Sequence, residues 1–271
     1  MTIVVTGAQG FLGACIVNIL TQENVDVIGI TRQHCDLLSA KETSVFFSSI
    51  TPHLIIHCAA FVPSSLHEYH DSSLSKNNTL LLRNVMDAST CPIMYISSMT
   101  VYGSSLKVIR RECEPSNPES EYGRSKLLGE TTLQEHQRDS LAIRIPGLFG
   151  GSRKNGLIYN NISQLNQGIT PSLPTEPLLW AAMNVEDAAN SIVKIAKKHS
   201  FSGFEVINIG YQDCYSLNAL VNIYRELFNY PIQYTIEHPV FQFDLTKLKK
   251  IGAMPNIGLF SAIKKYKGQI C

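Results

Sequence analysis

Short apolar runs rich in Val and Ile alternate along the first half of the chain with longer segments that show a helical spacing of apolar residues. An apolar run of about four to eight residues between turn formers predicts a buried strand, whereas apolar residues at positions i, i+3, i+4 and i+7 predict a helix. The predicted strands are residues 3–6, 25–30, 54–57, 93–97 and 141–145, and the predicted helices between them are residues 11–22, 79–88 and 125–136.

The fold class follows from this alternation. Strands that are apolar throughout are buried on both faces, and alternating strands and helices place helices on both faces of a parallel sheet. We therefore predict an α/β fold with a doubly wound parallel sheet over residues 1–150. After about residue 151 the pattern loosens, and it then predicts a helix at 185–198, a strand at 206–209, a helix at 216–228 and a short element at 243–250. We expect residues 151–271 to form a small lobe, with the chain returning to the sheet around 180–210.

Composition and charge narrow the classes of partner. The 271 residues are 44% hydrophobic and 17% charged, which is typical of a soluble globular protein. With 23 Lys and Arg against 22 Asp and Glu, the net charge of +1 provides no basic surface for nucleic acid. The chain enters a strand at once, which leaves no room for a signal segment, and no apolar run reaches membrane-spanning length. We therefore predict no nucleic-acid partner and no membrane association.

The cysteines indicate the compartment. The seven cysteines are scattered, odd in number and never in a Cys-x-x-Cys pair, a pattern that predicts reduced thiols in a cytoplasmic protein. The pair His67-x-x-His70 lacks a third ligand signal, so we predict no metal site there.

A glycine turn follows the first predicted strand and opens the first predicted helix. Its spacing is Gly-x-x-Gly-x-x-Gly. Glycines let the backbone approach a pyrophosphate closely, and the free N–H groups of a helix N-terminus then bind the phosphate charge. An ordinary turn is the alternative, but the position directly after a strand favours a dinucleotide cofactor. The predicted cofactor-binding residues of the turn are Gly7, Gln9, Gly10, Phe11 and Leu12.

The end of the second predicted strand indicates which dinucleotide is bound. A fold that selects NAD usually has a carboxylate there for the ribose 2′-hydroxyl, but this strand ends in Ile30-Thr31-Arg32. The planar guanidinium of Arg32 suits a 2′-phosphate, so NADP(H) is favoured and NAD(H) is the alternative. A solvated surface arginine is the other interpretation of Arg32. Asp36 and Leu37 follow, and we predict that they lie at the adenine edge.

Tyr122 and Lys126 are the candidate proton-transfer pair. They occupy positions i and i+4 of a predicted helix start and therefore share one helix face. A nearby cation favours a phenolate, so Lys126 is expected to lower the pKa of Tyr122. This spacing alone also recurs by chance on solvated helix faces, and its significance depends on the rest of the chain.

In their order along the chain, these motifs resemble those of the extended short-chain dehydrogenases/reductases, the NAD-dependent epimerase/dehydratase superfamily. The resemblance covers nearly the whole chain and implies a Rossmann-like NAD(P)-binding domain followed by a substrate-binding lobe. Besides the glycine turn and the Tyr/Lys pair, it rests on residues 57–60 (HCAA), 96–103 (ISSMTVYG), 144–150 (RIPGLFG), 184–187 (NVED) and 243–247 (FDLTK).

The resemblance implies a catalytic role for three residues. Ser98 would hydrogen-bond the substrate carbonyl, Tyr122 would transfer its proton, and Lys126 would lower the Tyr122 pKa and bind the nicotinamide ribose. A hydride that reaches a carbonyl carbon builds alkoxide charge, which a fixed hydroxyl and a positioned acid stabilise in the transition state. The resemblance further implies cofactor contacts at Ala59, Ala60, Tyr122, Lys126 and Pro146 and substrate contacts at Ser98, Met99, Thr100 and Asn155.

The two residues after Ser98 bear on the type of reaction. Dehydratases of the family have an acidic pair there, whereas this chain has Met99 and Thr100, so dehydration is disfavoured. The stretch 35–61 is most similar to nucleotide-sugar 4-keto reductases of the dTDP-4-dehydrorhamnose reductase and GDP-fucose synthase type. We therefore expect an NADP(H)-dependent reductase of a 4-keto-6-deoxy nucleotide sugar that serves polysaccharide precursor synthesis.

Two alternatives remain open. Thr100 also fits a nucleotide-sugar 4-epimerase with bound NAD, and relatives of the reductases include nucleotide-binding regulatory subunits without turnover.

The segment that begins at Trp180 lacks the arginine with which family members contact the sugar-nucleotide phosphates. Either Arg153 or Lys154 replaces it, or the substrate is not a sugar nucleotide. Trp180 either stacks on a base or packs in the lobe. Two interpretations of helices 79–88 and 125–136 also stay open: their apolar faces pair in a homodimer, as the resemblance implies, or they pack within one subunit.

Overall fold

The strands and helices are those of a computed structural model that describes residues 1–63, 67–103 and 107–270. The strands of these residues are β1 (Ile3–Thr6), β2 (Val27–Ile30), β3 (Leu54–His57), β4 (Ile93–Ser98), β5 (Ile109–Arg110), β6 (Ser140–Ile145), β7 (Gly147–Phe149), β8 (Ala182–Asn184), β9 (Phe204–Asn208) and β10 (Gln242–Phe243). The helices are α1 (Phe11–Gln22), α2 (Ala40–Ser48), α3 (Ser73–Ala88), α4 (Glu121–Glu135), α5 (Leu157–Asn166), α6 (Val185–Lys198), α7 (Leu217–Phe228), α8 (Thr246–Ile251) and α9 (Leu259–Ile270).

One parallel sheet organises the described residues. Its strand order is β2-β1-β3-β4-β6-β9, and every pair of neighbours runs parallel. The chain leaves β1 towards β2 on one side and returns to β3 on the other side, so the order reverses between β1 and β3. In open α/β sheets a ligand binds at the carboxyl ends of the strands at such a reversal. The predicted fold class, a doubly wound parallel sheet, is confirmed.

The strands are buried on both faces because alternate residues join two separate cores. Val5 and Ile56 pack into the core beneath α1 and α6, whereas Val4 and Ile55 pack into the core beneath α3 and α4. Successive side chains of a strand point to opposite faces, so an uninterrupted apolar run is what a sheet covered on both sides requires. Burial on both faces is therefore the physical reason why uninterrupted apolar runs predicted these strands from the sequence.

The second half of the chain builds a lobe at the carboxyl end of the sheet and also completes the sheet. The helix α6 packs against α1, and β9 then pairs with β6 at the edge of the sheet. Two short parallel pairs, β7 with β8 and β5 with β10, connect the lobe to the loops that leave the sheet.

No helix in the described part of the chain is both long and apolar enough to cross a membrane. The described cysteines, Cys15, Cys35, Cys58, Cys91, Cys113 and Cys214, are free thiols, and Cys271 lies outside the described residues.

The close contact between α4 and β4 depends on a glycine. At Gly129 an added Cβ would lie 2.4 Å from the hydroxyl oxygen of Tyr95, a fully buried residue of β4. Gly268 in α9 is the matched control, because an added Cβ there would meet nothing within 4 Å.

We expect Gly129→Ala to lower the free energy of unfolding by about 1–3 kcal/mol, the usual cost of overpacking a core. Gly268→Ala is expected to raise it by up to about 1 kcal/mol, because alanine loses less backbone entropy in a helix. Urea unfolding of both variants measures the difference. Equal effects of the two substitutions would show that α4 does not need this close approach.

Candidate active site

The glycine turn between β1 and α1 is shaped by close backbone contacts. Gly7 has a φ of +67°, and an added Cβ would lie 2.8 Å from the backbone nitrogen of Ala59, directly after β3. An added Cβ at Gly13 would lie 2.3 Å from the Gly7 carbonyl oxygen. The N-cap residue of α1, Gly10, makes no side-chain hydrogen bond to the helix. The first N–H groups of α1 are therefore available to an anion at the point where the strand order reverses.

A buried threonine joins β1 to β3 beneath this turn. The Oγ1 atom of Thr6 accepts a hydrogen bond from the backbone N–H of Ala59 at 3.2 Å and lies 3.0 Å from Nδ1 of His57. Burial, reinforced by the Lys126 charge, lowers the pKa of His57 to about 3, so its imidazole is neutral. Thr6 thus fixes the backbone of Ala59 and, through it, the predicted cofactor contact at Ala60. Neither Thr6 nor His57 was predicted as a site residue.

Arg32 lies at the outer end of the site, beyond the carboxyl end of β2. Its side chain is exposed, and the guanidinium carbon lies 5.5 Å from the ring centroid of Phe61. The Asp36 carboxylate accepts a hydrogen bond from the backbone N–H of Leu38, which rigidifies the turn after β2. Leu37 is buried, and its carbonyl oxygen accepts a hydrogen bond from Asn84. The predicted contacts of Arg32, Asp36 and Leu37 with the cofactor stay predictions.

Ser98 ends β4 with its hydroxyl group already oriented. The Ser98 Oγ atom accepts hydrogen bonds from the backbone N–H of Thr100 at 3.2 Å and from the Thr100 hydroxyl at 2.9 Å. A serine hydroxyl has two acceptor sites and one proton, so both acceptor sites are used and the proton is left to donate. Met99, a predicted substrate contact, is buried in the core beneath α1 and α6. Ser98 is therefore set up as a hydrogen-bond donor, which is what a substrate carbonyl oxygen needs.

The start of α4 brings Tyr122 and Lys126 to the same region. The Ser120 hydroxyl accepts a hydrogen bond from the backbone N–H of Gly123 and thereby caps the helix. An added Cβ at Gly123 would lie 2.8 Å from the Thr100 carbonyl oxygen, so the first turn of α4 lies directly against the segment after Ser98. The ammonium of Lys126 donates to the Ile96 carbonyl oxygen at 2.9 Å and lies 5.7 Å from the Tyr122 ring centroid.

The protonation of this pair differs from the expectation. Burial raises the pKa of Tyr122 well above its usual value, and the Tyr69 phenol raises it further. Burial lowers the pKa of Lys126 to about 8. The predicted lowering of the Tyr122 pKa by Lys126 is not found, because the loss of solvent around the phenol raises this pKa and Lys126 is not among the groups that shift it. Tyr122 therefore keeps its proton at neutral pH, which is the state a proton donor requires.

A buried ion pair holds the elements that carry these residues. Nη2 and Nε of Arg144, in β6, donate to the two carboxylate oxygens of Glu130, in α4, at 2.7 and 3.0 Å. Each side chain is only 4% exposed. The hydroxyl of Ser97, the residue before Ser98, also donates to Glu130. The Arg144 guanidinium carbon lies 4.7 Å from the Tyr102 ring centroid. The network therefore joins β4, β6 and α4 behind the candidate catalytic residues.

Further residues singled out from the sequence lie after β6, in the second half of the chain. Asn155, a predicted substrate contact, is exposed and accepts a hydrogen bond from Nε of Arg153 at 2.6 Å. Pro146, a predicted cofactor contact, is buried between β6 and β7. Trp180 packs edge to face on Tyr215 with ring centroids 6.4 Å apart and is partly buried against the core. Of the two interpretations of Trp180, the structure matches packing in the lobe.

The structure brings the glycine turn against Ala59 and the first turn of α4 against Thr100, and the Lys126 charge acts on His57 and Cys58, just before Ala59. Glu130 was missed, although its position two helical turns after Tyr122 and one after Lys126 puts it on the same helix face. Its negative charge raises the Lys126 pKa against the effect of burial. Tyr69 was missed as well, and its ring meets the Tyr122 ring edge to face at 5.7 Å. No spacing in the sequence connects Tyr69 with Tyr122.

Comparison with curated proteins and solved structures finds relatives of two kinds. The chain is 28% identical over 158 residues to the methionine adenosyltransferase 2 subunit beta of Bos taurus, covering 55% of this chain and 47% of that protein. It is 26% identical over 156 residues to the spore coat polysaccharide biosynthesis protein SpsK of Bacillus subtilis, covering 56% and 55%. The chain thus spans about half the length of these curated relatives.

The fold is shared more widely. The crystal structure of a dTDP-4-dehydrorhamnose reductase from Clostridium acetobutylicum superposes with a TM-score of 0.82 at 20% identity, covering 100% of this chain and 99% of that one. The sequence profile of the family described as RmlD substrate binding domain matches residues 1–167, which is more than half of the chain. The resemblance to the extended short-chain dehydrogenases/reductases is thereby confirmed, and the chain belongs to the RmlD substrate binding domain family.

Proposed function

We propose that the protein is an NADP(H)-dependent reductase of a 4-keto-6-deoxy nucleotide sugar in polysaccharide precursor synthesis. The observation that carries the proposal is the arrangement at the end of β4. There the hydroxyl proton of Ser98 is left to donate, and the buried ammonium of Lys126 donates to the carbonyl oxygen of Ile96. The first turn of α4, which carries the protonated phenol of Tyr122, lies against the carbonyl oxygen of Thr100. The name of the relative SpsK supports a role in polysaccharide biosynthesis.

The residues at the glycine turn fit a nicotinamide dinucleotide. The turn at Gly7 and Gly13 has no room for a Cβ, and the uncapped N-terminus of α1 offers N–H groups to the pyrophosphate. Arg32 would bind a 2′-phosphate, and Lys126 would bind the nicotinamide ribose. When bound, the dinucleotide supplies the hydride for the carbonyl carbon.

The protein supplies the groups that act on the carbonyl oxygen. Ser98 donates a hydrogen bond to this oxygen and stabilises the negative charge that develops on it. Tyr122 donates its proton to the same oxygen, and the alkoxide becomes a hydroxyl. Lys126 remains charged below about pH 8 and stabilises the phenolate that the proton transfer leaves. Met99 and Thr100 provide no carboxyl group for a dehydration, and the buried side chain of Met99 faces the core.

A second function is favoured by a specific observation. The chain is 28% identical, over about half its length, to the methionine adenosyltransferase 2 subunit beta, and the name of that relative describes a subunit of a larger enzyme rather than an enzyme by itself. A nucleotide-binding regulatory subunit would keep the glycine turn and bind the dinucleotide without turnover. A 4-epimerase, the other alternative, is distinguished by NAD that stays bound through purification.

We expect the protein to oxidise NADPH with at least one member of a panel of 4-keto nucleotide sugars linked to dTDP, GDP or UDP. Tyr122→Phe removes the proton donor and keeps the ring, so it should lower kcat about 10²-fold or more while the affinity for NADPH changes little. Absorbance at 340 nm follows the reaction. NADPH binding without oxidation across the whole panel would favour the regulatory subunit, and an unchanged rate in the variant would exclude Tyr122 as the donor.

The cofactor preference is expected to depend on Arg32. Arg32→Gln removes a charged partner of the 2′-phosphate, so the dissociation constant for NADPH should rise about 10-fold or more while that for NADH stays the same. Arg83→Gln, which removes another exposed arginine on α3, is the control and should change neither constant. Isothermal titration measures all four affinities. An equal loss for NADPH and NADH in Arg32→Gln would contradict selection of the 2′-phosphate.

The affinity for NADPH is also expected to depend on pH through Lys126. Burial lowers the Lys126 pKa to about 8, so its ammonium is present at pH 7 and is lost as the pH rises above 8. Affinity should therefore fall between pH 7 and pH 9 because a charged donor to the ribose disappears. Lys126→Met should bind more weakly at pH 7 and show little further change up to pH 9. Parallel pH profiles for the two proteins would contradict the assignment.

A further inference from the structure

A tyrosine from a separate segment of the chain packs on the ring of the candidate proton donor. Tyr69 belongs to a short 3-10 helix, His67–His70, which lies against α4. The rings of Tyr69 and Tyr122 meet edge to face, with centroids 5.7 Å apart and planes at 80° to each other. In this arrangement the positive edge of one ring attracts the negative face of the other. The contact is therefore a specific one between the two side chains.

Two hydrogen-bonded links fasten the short helix to its surroundings. Asp71, directly after it, accepts hydrogen bonds from the backbone N–H and the hydroxyl of Ser73, both at 2.8 Å, and so joins it to the start of α3. The hydroxyl of Ser75, in the same turn of α3, donates to the carboxylate of Glu121 at 3.0 Å. Glu121 is the first residue of α4. The segment that carries Tyr69 is thereby held to the first turn of α4.

The backbone of Tyr122 is fixed, but its hydroxyl is not. The Ser125 hydroxyl donates to the Tyr122 carbonyl oxygen at 2.7 Å and accepts a hydrogen bond from the Asn78 side chain at 3.0 Å. The Tyr122 hydroxyl itself makes no hydrogen bond within the part of the chain that the structure describes. Its direction therefore depends on the groups around the ring, which include Tyr69 and the ammonium of Lys126.

The same contact keeps water from the phenol. The half-buried ring of Tyr69 covers a part of the Tyr122 ring that water would otherwise contact. Burial raises the pKa of Tyr122, and the Tyr69 phenol raises it further. A phenol that gains water ionises more easily, and an ionised phenol has no proton to donate. Tyr69 therefore favours the protonation state that a proton donor needs.

We propose that Tyr69 is a positioning residue for Tyr122, whose ring fixes the direction of the Tyr122 hydroxyl and shields it from water. The inference rests on the proposed function, in which Tyr122 donates a proton to the carbonyl oxygen of the substrate. Tyr69 acts through Tyr122 and needs no contact with substrate or cofactor. Its own hydroxyl makes no hydrogen bond to another described residue, so the ring is the part that acts.

Three variants test the proposal. Tyr69→Ala removes the ring, Tyr69→Phe keeps it, and Tyr230→Ala is the matched control. Tyr230 is another half-buried tyrosine, and its hydroxyl lies 2.9 Å from the hydroxyl of Thr170, in the second half of the chain. Thermal unfolding checks that the variants are folded, and Tyr69→Leu replaces Tyr69→Ala in every comparison if the alanine variant is unfolded.

The first readout is the fluorine spectrum of the full chain labelled with meta-fluorotyrosine, in which Tyr122→Phe identifies the Tyr122 signal. The difference in its chemical shift between ordinary and heavy water reports water at the ring. Tyr69→Ala should enlarge this difference, whereas Tyr69→Phe and Tyr230→Ala should leave it unchanged.

The second readout is turnover of the unlabelled protein. Tyr69→Ala should lower kcat about 10-fold or more while KM and the affinity for NADPH stay the same, because the donor is misdirected and binding is not affected. Tyr69→Phe should keep kcat near that of the native protein. The proposal is overturned if Tyr69→Ala leaves the fluorine difference unchanged, or if Tyr69→Phe lowers kcat as much as Tyr69→Ala does. The fluorine measurement needs no turnover, so failure to oxidise NADPH would refute the proposed reductase and leave its result intact.

Discussion

The buried ion pair between Glu130 and Arg144 holds together the parts of the fold that carry the chemistry. It joins α4 to β6, and the Ser97 hydroxyl extends it to β4. Tyr122 and Lys126 lie on the same face of α4 as Glu130, so the pair fixes how that face meets the end of β4. Removing one partner would leave an uncompensated buried charge, which costs about 3–5 kcal/mol. The position of the candidate proton donor therefore depends on a buried contact between α4 and β6.

The contact between the glycine turn and the end of β3 follows from the order of the strands. Because the order reverses between β1 and β3, the turn after β1 meets the segment after β3, and Gly7 lies against the Ala59 backbone with no space for a side chain. Thr6 bonds the two strand ends together. From the second half of the chain, the guanidinium carbon of Arg153 lies 5.4 Å from the ring centroid of Phe11. The topology of the sheet thereby brings the end of β3 to the glycine turn, where the proposed cofactor would bind.

The sequence predicted the fold well where local pattern decides it. The strands β1 and β3 and the helices α1 and α6 have the predicted bounds, because buried strands and amphipathic helices have distinct apolar periods. The helix α5 was not predicted: its Asn-rich sequence has low helix propensity, and it is stabilised by packing of Ile158 and Ile162. Among the site residues, the raised pKa of Tyr122 comes from burial, and the approach of Arg153 to Phe11 comes from tertiary structure. Neither is encoded in a local spacing.

The central claim is that the region between the glycine turn and α4 binds a nicotinamide dinucleotide next to a nucleotide sugar. Native mass spectrometry of the folded protein, purified without added nucleotide and then mixed with NADPH, tests this claim directly. The predicted result is a bound NADP(H) on each chain, together with a nucleotide sugar that co-purifies or adds to the complex. A folded protein that retains neither ligand, even with NADPH in excess, would contradict it.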